Sequence, residues 1–194
     1  MEEEKAWIER TRAGDHEAFA CLVEAYQVAV YNLAYRMLGN APEAEEAVQE
    51  TFLRAYSRLS TFNPQKKFST WLLSIASHYC IDLLRRRRFT WLSLEEMSPW
   101  QRPPSHERQP EEEALRREEG AEVQALLELL PPPYRAAIIL RYWYELSYRE
   151  IAAVMSTTES AIKSRLYRAR RLLAQLMLAS TPGEEDGKGD EENE

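Results

Sequence analysis

LSYREIAAVMSTTESAIKSRLYRARRLL, residues 146–173, is the stretch on which the fold of this chain turns. Ser147-Tyr148-Arg149-Glu150 is a Ser-x-x-Glu capping box. A hydroxyl and a carboxylate at that spacing satisfy the first free N–H groups of a helix. Ile151, Ala152 and Met155 give this helix an apolar side, Ser156-Thr157 interrupts it, and a second helix opens near Thr158. In that second helix Ile162, Leu166, Ala169 and Leu173 recur at helical spacing. Ser160, Lys163, Ser164, Tyr167, Arg168 and Arg171 then point outward. A short capped helix, a tight turn and a longer helix with a basic outer face form a helix-turn-helix, its second helix sized for the major groove. Lys and Arg pair with phosphates or guanine edges, and Ser and Tyr reach phosphate or base edges. An ordinary solvated amphipathic helix shares part of this pattern.

Upstream the periodicity stays helical. Leu115, Val123, Leu126, Leu127 and Leu130 form a stripe that Pro131-Pro132-Pro133 stops, and a helix follows over Tyr134 to Tyr144. At the other end of the chain a short helix is expected over Glu3 to Thr11, broken at Gly14-Asp15, with Asp15 as the next N-cap. Phe19, Leu22, Val23, Tyr26, Val30, Leu33 and Met37 share one face, and Gly39 supplies the C-cap. Pro42 suits the first turn of a third helix with Val48, Phe52, Ala55 and Leu59 inside. TFNPQKK, residues 61–67, reads as a loop. Ser69 can cap a long helix whose core face is Leu72, Ile75, Ala76, Tyr79 and Leu83, and whose four arginines, Arg85 to Arg88, suit a helix C-terminus.

From Phe89 to Pro110 four prolines mark an extended linker, with Trp91 and Trp100 hinting that it rests on a surface. The stretch beyond Ser180 is glycine- and acid-rich and is expected to be disordered. The expected fold is therefore all-α: two small helical domains, residues 1–88 and 113–179, a linker over 89–112 and an acidic tail over 180–194.

Composition narrows the function. The net charge of −7 argues against nucleic acid until its distribution is seen. Residues 184–194 alone carry seven acids and one lysine. Residues 66–88 carry six bases against one acid, and residues 159–175 five against one. Two basic stripes suggest DNA contact at two places, and the acidic helix from Glu43 suggests a protein partner. The chain opens on MEEEK, acidic where a signal peptide would be basic, and no apolar run approaches a membrane span, so a cytoplasmic protein without membrane insertion is expected. Cys21 and Cys80 read as buried thiols, and the histidines do not cluster with them, so neither a metal site nor a cofactor is expected. No nucleophile–base set or phosphate loop points to an enzyme.

A second constellation is the loop and helix from Phe62 to Arg88, where Lys66 and Lys67 alternate with Phe62, Phe68, Trp71, His78 and Tyr79. That mix suits single-stranded nucleic acid, in which bases stack or enter pockets while cations follow the backbone; Tyr79 itself fits the core better. A third is the polar patch of Glu46, Gln49 and Glu50, which alone reads as a solvated helix face.

EEAVQETFLRAYSRL, FSTWLLSIASHYCIDLLRRRR and LPPPYRAAIILRYWYELSYREIAAVMSTTESAIKSRLYRARRLL, in this order and spacing, resemble the extracytoplasmic-function (ECF) class of bacterial RNA polymerase sigma factors over about residues 13–173. The resemblance implies a region 2 bundle and a region 4 helix-turn-helix. It implies docking on the β′ clamp helices of core polymerase through Glu46, Gln49, Glu50, Leu53 and Arg54. It places Phe62, Lys66, Lys67, Ser69, Thr70, Trp71, Ser74 and His78 at the non-template strand of the −10 element. Lys163, Ser164, Tyr167 and Arg168 fall at the −35 duplex, with Arg141 and Tyr148 in support. It also implies contact with the β subunit, a linker threading toward the active-centre and RNA-exit region, and an anti-sigma factor as negative partner. His78 stands where the family commonly has Asn, and Ser156 where a turn glycine is common. The rival readings are a stand-alone helix-turn-helix regulator that binds operator DNA without polymerase, and a helical adaptor that binds only protein.

Overall fold

The computed structural model describes residues 2–94 and 112–180. Eight α-helices stand in these segments: α1 Glu2–Arg12, α2 His16–Leu38, α3 Ala41–Arg58, α4 Phe68–Leu94, α5 Glu112–Glu128, α6 Pro132–Tyr142, α7 Tyr148–Val154 and α8 Glu159–Ser180, with a 3-10 turn at Leu59–Thr61. No strand occurs among the described residues.

Local chemistry explains most boundaries. The Asp15 carboxylate accepts from the N–H groups of Glu17 and Ala18, and those bonds, with the Arg10 guanidinium, hold its pKa below the ordinary carboxylate value. Gly39 closes α2 at φ 72°, which only glycine adopts without strain. Asn40 caps α3, and Pro42 sits in its first turn. Pro132 opens α6, its missing N–H being one the helix would leave unpaired anyway.

Two expectations for α4 fail. The helix begins at Phe68, so Ser69 lies inside its first turn rather than capping it. It also runs through the four arginines to Leu94, because no glycine or proline interrupts the chain before Pro99. The linker expected from residue 89 therefore has a helical start as far as residue 94; residues 95–111, Trp100 among them, and the acidic tail from residue 181 lie outside the described residues.

The N-terminal core sits where α2, α3 and α4 meet, with Leu22, Val30, Leu33, Met37, Phe52, Ala55, Leu72 and Ala76 buried. Each large apolar side chain buried there contributes about 1.5–3 kcal/mol. Leu127, Leu130, Ala136 to Leu140, Ile151, Val154, Ile162, Leu166 and Ala169 are among the buried residues of the C-terminal helices. The single core stripe expected on α4 is too narrow. Leu73, Ser77 and Ile81 are buried beside Leu72, Ala76 and Cys80, because α4 touches α6 and α7 as well as α2 and α3. Burial pushes the Cys80 thiol up to about 12. Cys21 is only half-buried, a correction to the expectation of two buried thiols.

Candidate nucleic-acid interface

The helix-turn-helix is built by short-range bonds. Ser147 Oγ accepts from Glu150 N at 3.2 Å, while Ser147 N donates to Glu150 Oε2 at 2.9 Å, completing the capping box of α7. Ser156 turns the chain at φ 50°, the left-handed conformation that explains why glycine suits this position. Thr158 Oγ1 accepts from Ala161 N at 3.2 Å and starts α8. Ile162, Leu166 and Ala169 face inward. Ser160, Lys163, Ser164, Tyr167, Arg168 and Arg171 are all exposed, as the spacing predicts. The Arg171 guanidinium lies 5.9 Å from the Tyr167 ring centroid. Arg141 and Tyr148 are half-buried and brace the corner between α6 and α7. Arg141 Nη1 donates to Leu146 O at 2.8 Å, and its guanidinium lies 5.4 Å from the Tyr148 ring centroid.

The second constellation is arranged differently. Lys66 and Lys67 are exposed, Ser69, Thr70, Trp71 and Ser74 are half-buried, and His78 is exposed with its Nδ1 2.7 Å from Ser74 O. Phe62 departs from expectation. It is only 4% exposed, packed against Phe68 at 5.5 Å and Trp71 at 5.2 Å between ring centroids. A ring so enclosed has no face left for a base, so Phe62 supports the loop from inside. Lys67 is also engaged: its Nζ lies 2.7 Å from Glu150 Oε1, the second oxygen of the α7 capping carboxylate. Lys67, with the Ser147 bonds, holds the Glu150 carboxyl at about 2.

On α3, Gln49 and Glu46 are exposed, Glu50 and Arg54 half-buried. Arg54 pairs with Glu50 at 2.6 Å and lies 5.0 Å from the Tyr79 ring centroid, whose hydroxyl donates to Glu46 at 3.2 Å. Leu53 is 67% exposed. Gln49 also lines an open groove of about 420 Å3 between α2 and α3, with Gln27, Val28, Tyr31, Glu45 and Val48. The α2 side of this surface is absent from the sequence reading. Its signal was Val28, an apolar residue off the buried stripe, 65% exposed. Exposed apolar side chains ringed by polar ones mark protein contact surfaces.

The two basic surfaces are not independent. Arg135, buried in α6, donates to Glu128 O at 2.5 Å and reaches Met37 O in α2. The Tyr144 hydroxyl donates to Ala29 O, and Gln124 Nε2 donates to Arg36 O at 3.3 Å. Arg36 stacks 5.1 Å from the Trp143 ring centroid. With the Lys67–Glu150 pair, these contacts close the C-terminal helices over α2 and the start of α4. Among the described residues no group of three His, Cys, Asp or Glu side chains is placed to hold a metal ion, and no helix is long and apolar enough to cross a membrane.

Two family profiles match the chain: Sigma-70 region 2 over residues 22–90 and Sigma-70 region 4 over residues 120–173. The chain is 34% identical over 175 residues to the ECF RNA polymerase sigma factor SigW of Bacillus subtilis, covering 87% of this chain and 94% of that one. The structure of CnrH in complex with the cytosolic domain of CnrY superposes with a TM-score of 0.68 at 26% identity, covering 92% of this chain and 99% of that one. RpoE of Bartonella quintana, solved with the anti-sigma factor NepR, shares the fold with a TM-score of 0.61 at 22% identity, covering 84% and 98%.

Proposed function

The chain belongs to the ECF class of bacterial RNA polymerase sigma factors, and from that premise we propose a division of labour among its residues. As a sigma factor it binds core polymerase, directs it to promoters by the −10 and −35 elements, and helps open the duplex. The observation that carries the residue assignment is the exposure of all six outward residues on one side of α8, opposite Ile162, Leu166 and Ala169. Lys163, Arg168 and Arg171 supply cations for phosphates or guanine edges of the −35 duplex; Ser160, Ser164 and Tyr167 supply hydroxyls. Arg141 and Tyr148 hold the corner that aims α8.

Lys66, Ser69, Thr70, Trp71, Ser74 and His78 meet the non-template strand of the −10 element, with Phe62 supporting them from the core. Lys67 joins them once it leaves Glu150, so strand capture and separation of the two halves are coupled. Glu46, Gln49, Glu50, Leu53 and Arg54, extended by Val28 on α2, dock on the β′ clamp helices. Polymerase then fixes the distance between the two DNA readers, which makes the second contact effectively intramolecular. Two DNA-reading regions and a separate docking surface on α3 lie on one chain, which favours this reading over a stand-alone regulator. The chain acts as a binding subunit, not an enzyme, in the cytoplasm and without a cofactor. Its expected negative partner is an anti-sigma factor, as RpoE has in NepR.

The test is transcription in vitro with purified bacterial core polymerase, with and without the chain, on sheared genomic DNA. Discrete new 5′ ends sharing two upstream elements are expected. They should vanish with Q49A/E50A and with K163A/R168A. Ends that survive K163A/R168A would overturn the assignment of α8 to the −35 element.

A further inference from the structure

Helix α1 lies outside the stretch that matches Sigma-70 region 2, which starts at residue 22. It carries two arginines with different partners. Arg10 pairs with Asp15 at 2.6 Å and locks the corner into α2. Arg12 instead reaches 47 residues along the chain. Its Nε donates to Leu59 O at 3.2 Å, and its Nη2 donates to the same oxygen at 3.1 Å and to Phe62 O. These two carbonyls bracket the 3-10 turn Leu59–Thr61, where α3 gives way to the loop that carries Lys66 and Lys67.

We propose that Arg12 is a positioning residue for promoter opening: it holds the 63–67 loop where its lysines and the first turn of α4 meet the −10 strand. The inference rests on reading that loop as a −10 contact. The loop is short and pinned at both ends from inside, because Phe62 and Phe68 are buried and meet edge-on with 5.5 Å between ring centroids. Within it the Asn63 side chain accepts from Gln65 N at 2.9 Å, and Lys66 N donates to Asn63 O at 3.0 Å. The aromatic rings fix the depth of the loop but make no polar contact with the turn before it. The planar Arg12 fork supplies one, tying both ends of that turn to α1 with charge-assisted bonds. A Lys ammonium lacks that fixed two-pronged geometry. A pivot at residues 59–62 would displace Lys66 at the loop tip, and recognition groups tolerate displacements of only about 0.5 Å. Arg12 thus acts on the strand without touching it.

The experiment uses the full-length chain with bacterial core polymerase. Open-complex formation is timed on a duplex promoter and on the same promoter pre-opened by mismatches across the −10 region. Arg12→Ala should slow opening of the duplex about tenfold, the scale of losing one charge-assisted hydrogen bond, and should recover on the pre-opened template. Affinity for core polymerase should be unchanged, and Arg12→Lys should fall between. In the free chain, trypsin cleavage after Lys66 and Lys67 should quicken several-fold in Arg12→Ala. Wild-type opening, an equal deficit on both templates, or unchanged cleavage in Arg12→Ala would each overturn the proposal. The double variant K66A/K67A separates the two layers. If it opens the duplex normally, the loop is not a −10 contact and the role of Arg12 falls with it. If it is slow while Arg12→Ala is not, only the role of Arg12 falls.

Discussion

The proposed −35 and −10 readers of this sigma factor meet solvent differently. In α8 every residue expected to meet DNA is already on the outside, held there by a helix whose inner face is Ile162, Leu166 and Ala169. In the 62–78 segment the residues expected to meet DNA are divided. Phe62 is core, Trp71 leans on it, and Lys67 is taken by Glu150. A duplex has a regular groove, so a rigid helix can be finished before it arrives. A single strand has to be captured as it leaves the duplex, and here one cation of its proposed reader, Lys67, is held by the other half of the protein. The Lys67–Glu150 pair joins the two: the carboxylate that caps α7 also holds a cation of the proposed −10 reader.

The largest expected contrast is between two aromatics. Phe62→Ala should cost about 3–5 kcal/mol, the usual penalty for emptying a buried aromatic site, and should lower the urea midpoint accordingly. Tyr167→Ala should leave stability within about 0.5 kcal/mol, as for an exposed site, yet weaken binding of the −35 duplex. If Phe62→Ala were stable and merely defective in opening, the ring would be a base contact after all. Next in size, K163A/R168A should reduce the salt slope of duplex binding by about two log units, near 0.9 for each phosphate that is no longer neutralised. A slope unchanged from wild type would mean that α8 faces away from the backbone.

Tyr144→Phe probes the closed arrangement. It deletes the hydroxyl that donates to Ala29 O and should cost about 1 kcal/mol. A two-step denaturation appearing in this variant would show that the halves had come apart. Burial holds the Tyr144 phenol up at about 12, so no change of its charge complicates the comparison near neutral pH.

The smallest effect belongs to the Lys67–Glu150 pair. Lys67 is largely solvated and Glu150 only half-buried, so Lys67→Ala should change stability by under about 1 kcal/mol. The sign with pH is set by Glu150, whose carboxyl falls from an ordinary 4.5 to about 2 in the folded chain. A depressed folded value stabilises above the unfolded value and loses that contribution as the group protonates. The difference in melting temperature between wild type and Lys67→Ala should therefore persist at pH 5 and disappear toward pH 2. A difference that instead grew on acidification would remove Glu150 as the partner.

What could be read directly from the residues was most of what has its cause within a turn or two of chain. Asp15, Gly39 and Ser147 act on backbone groups a few positions away, and helical periodicity alone placed six side chains on the outer face of α8. The end of α4 was misplaced because a run of arginines is only a preference, whereas nothing before Pro99 forbids the helix to continue. The 62–67 loop has no repeat to say which side chains turn inward, and the burial of Phe62 depends on Phe68 and Trp71 packing against it. The second buried column of α4, the hold of Arg12 on Leu59 and Phe62, the Arg135 and Tyr144 bridges and the Lys67–Glu150 pair all join residues brought together only by the fold. Spacing along a helix is periodic and can be counted; a contact across 47 or 98 residues has no period, and tertiary packing alone decided it.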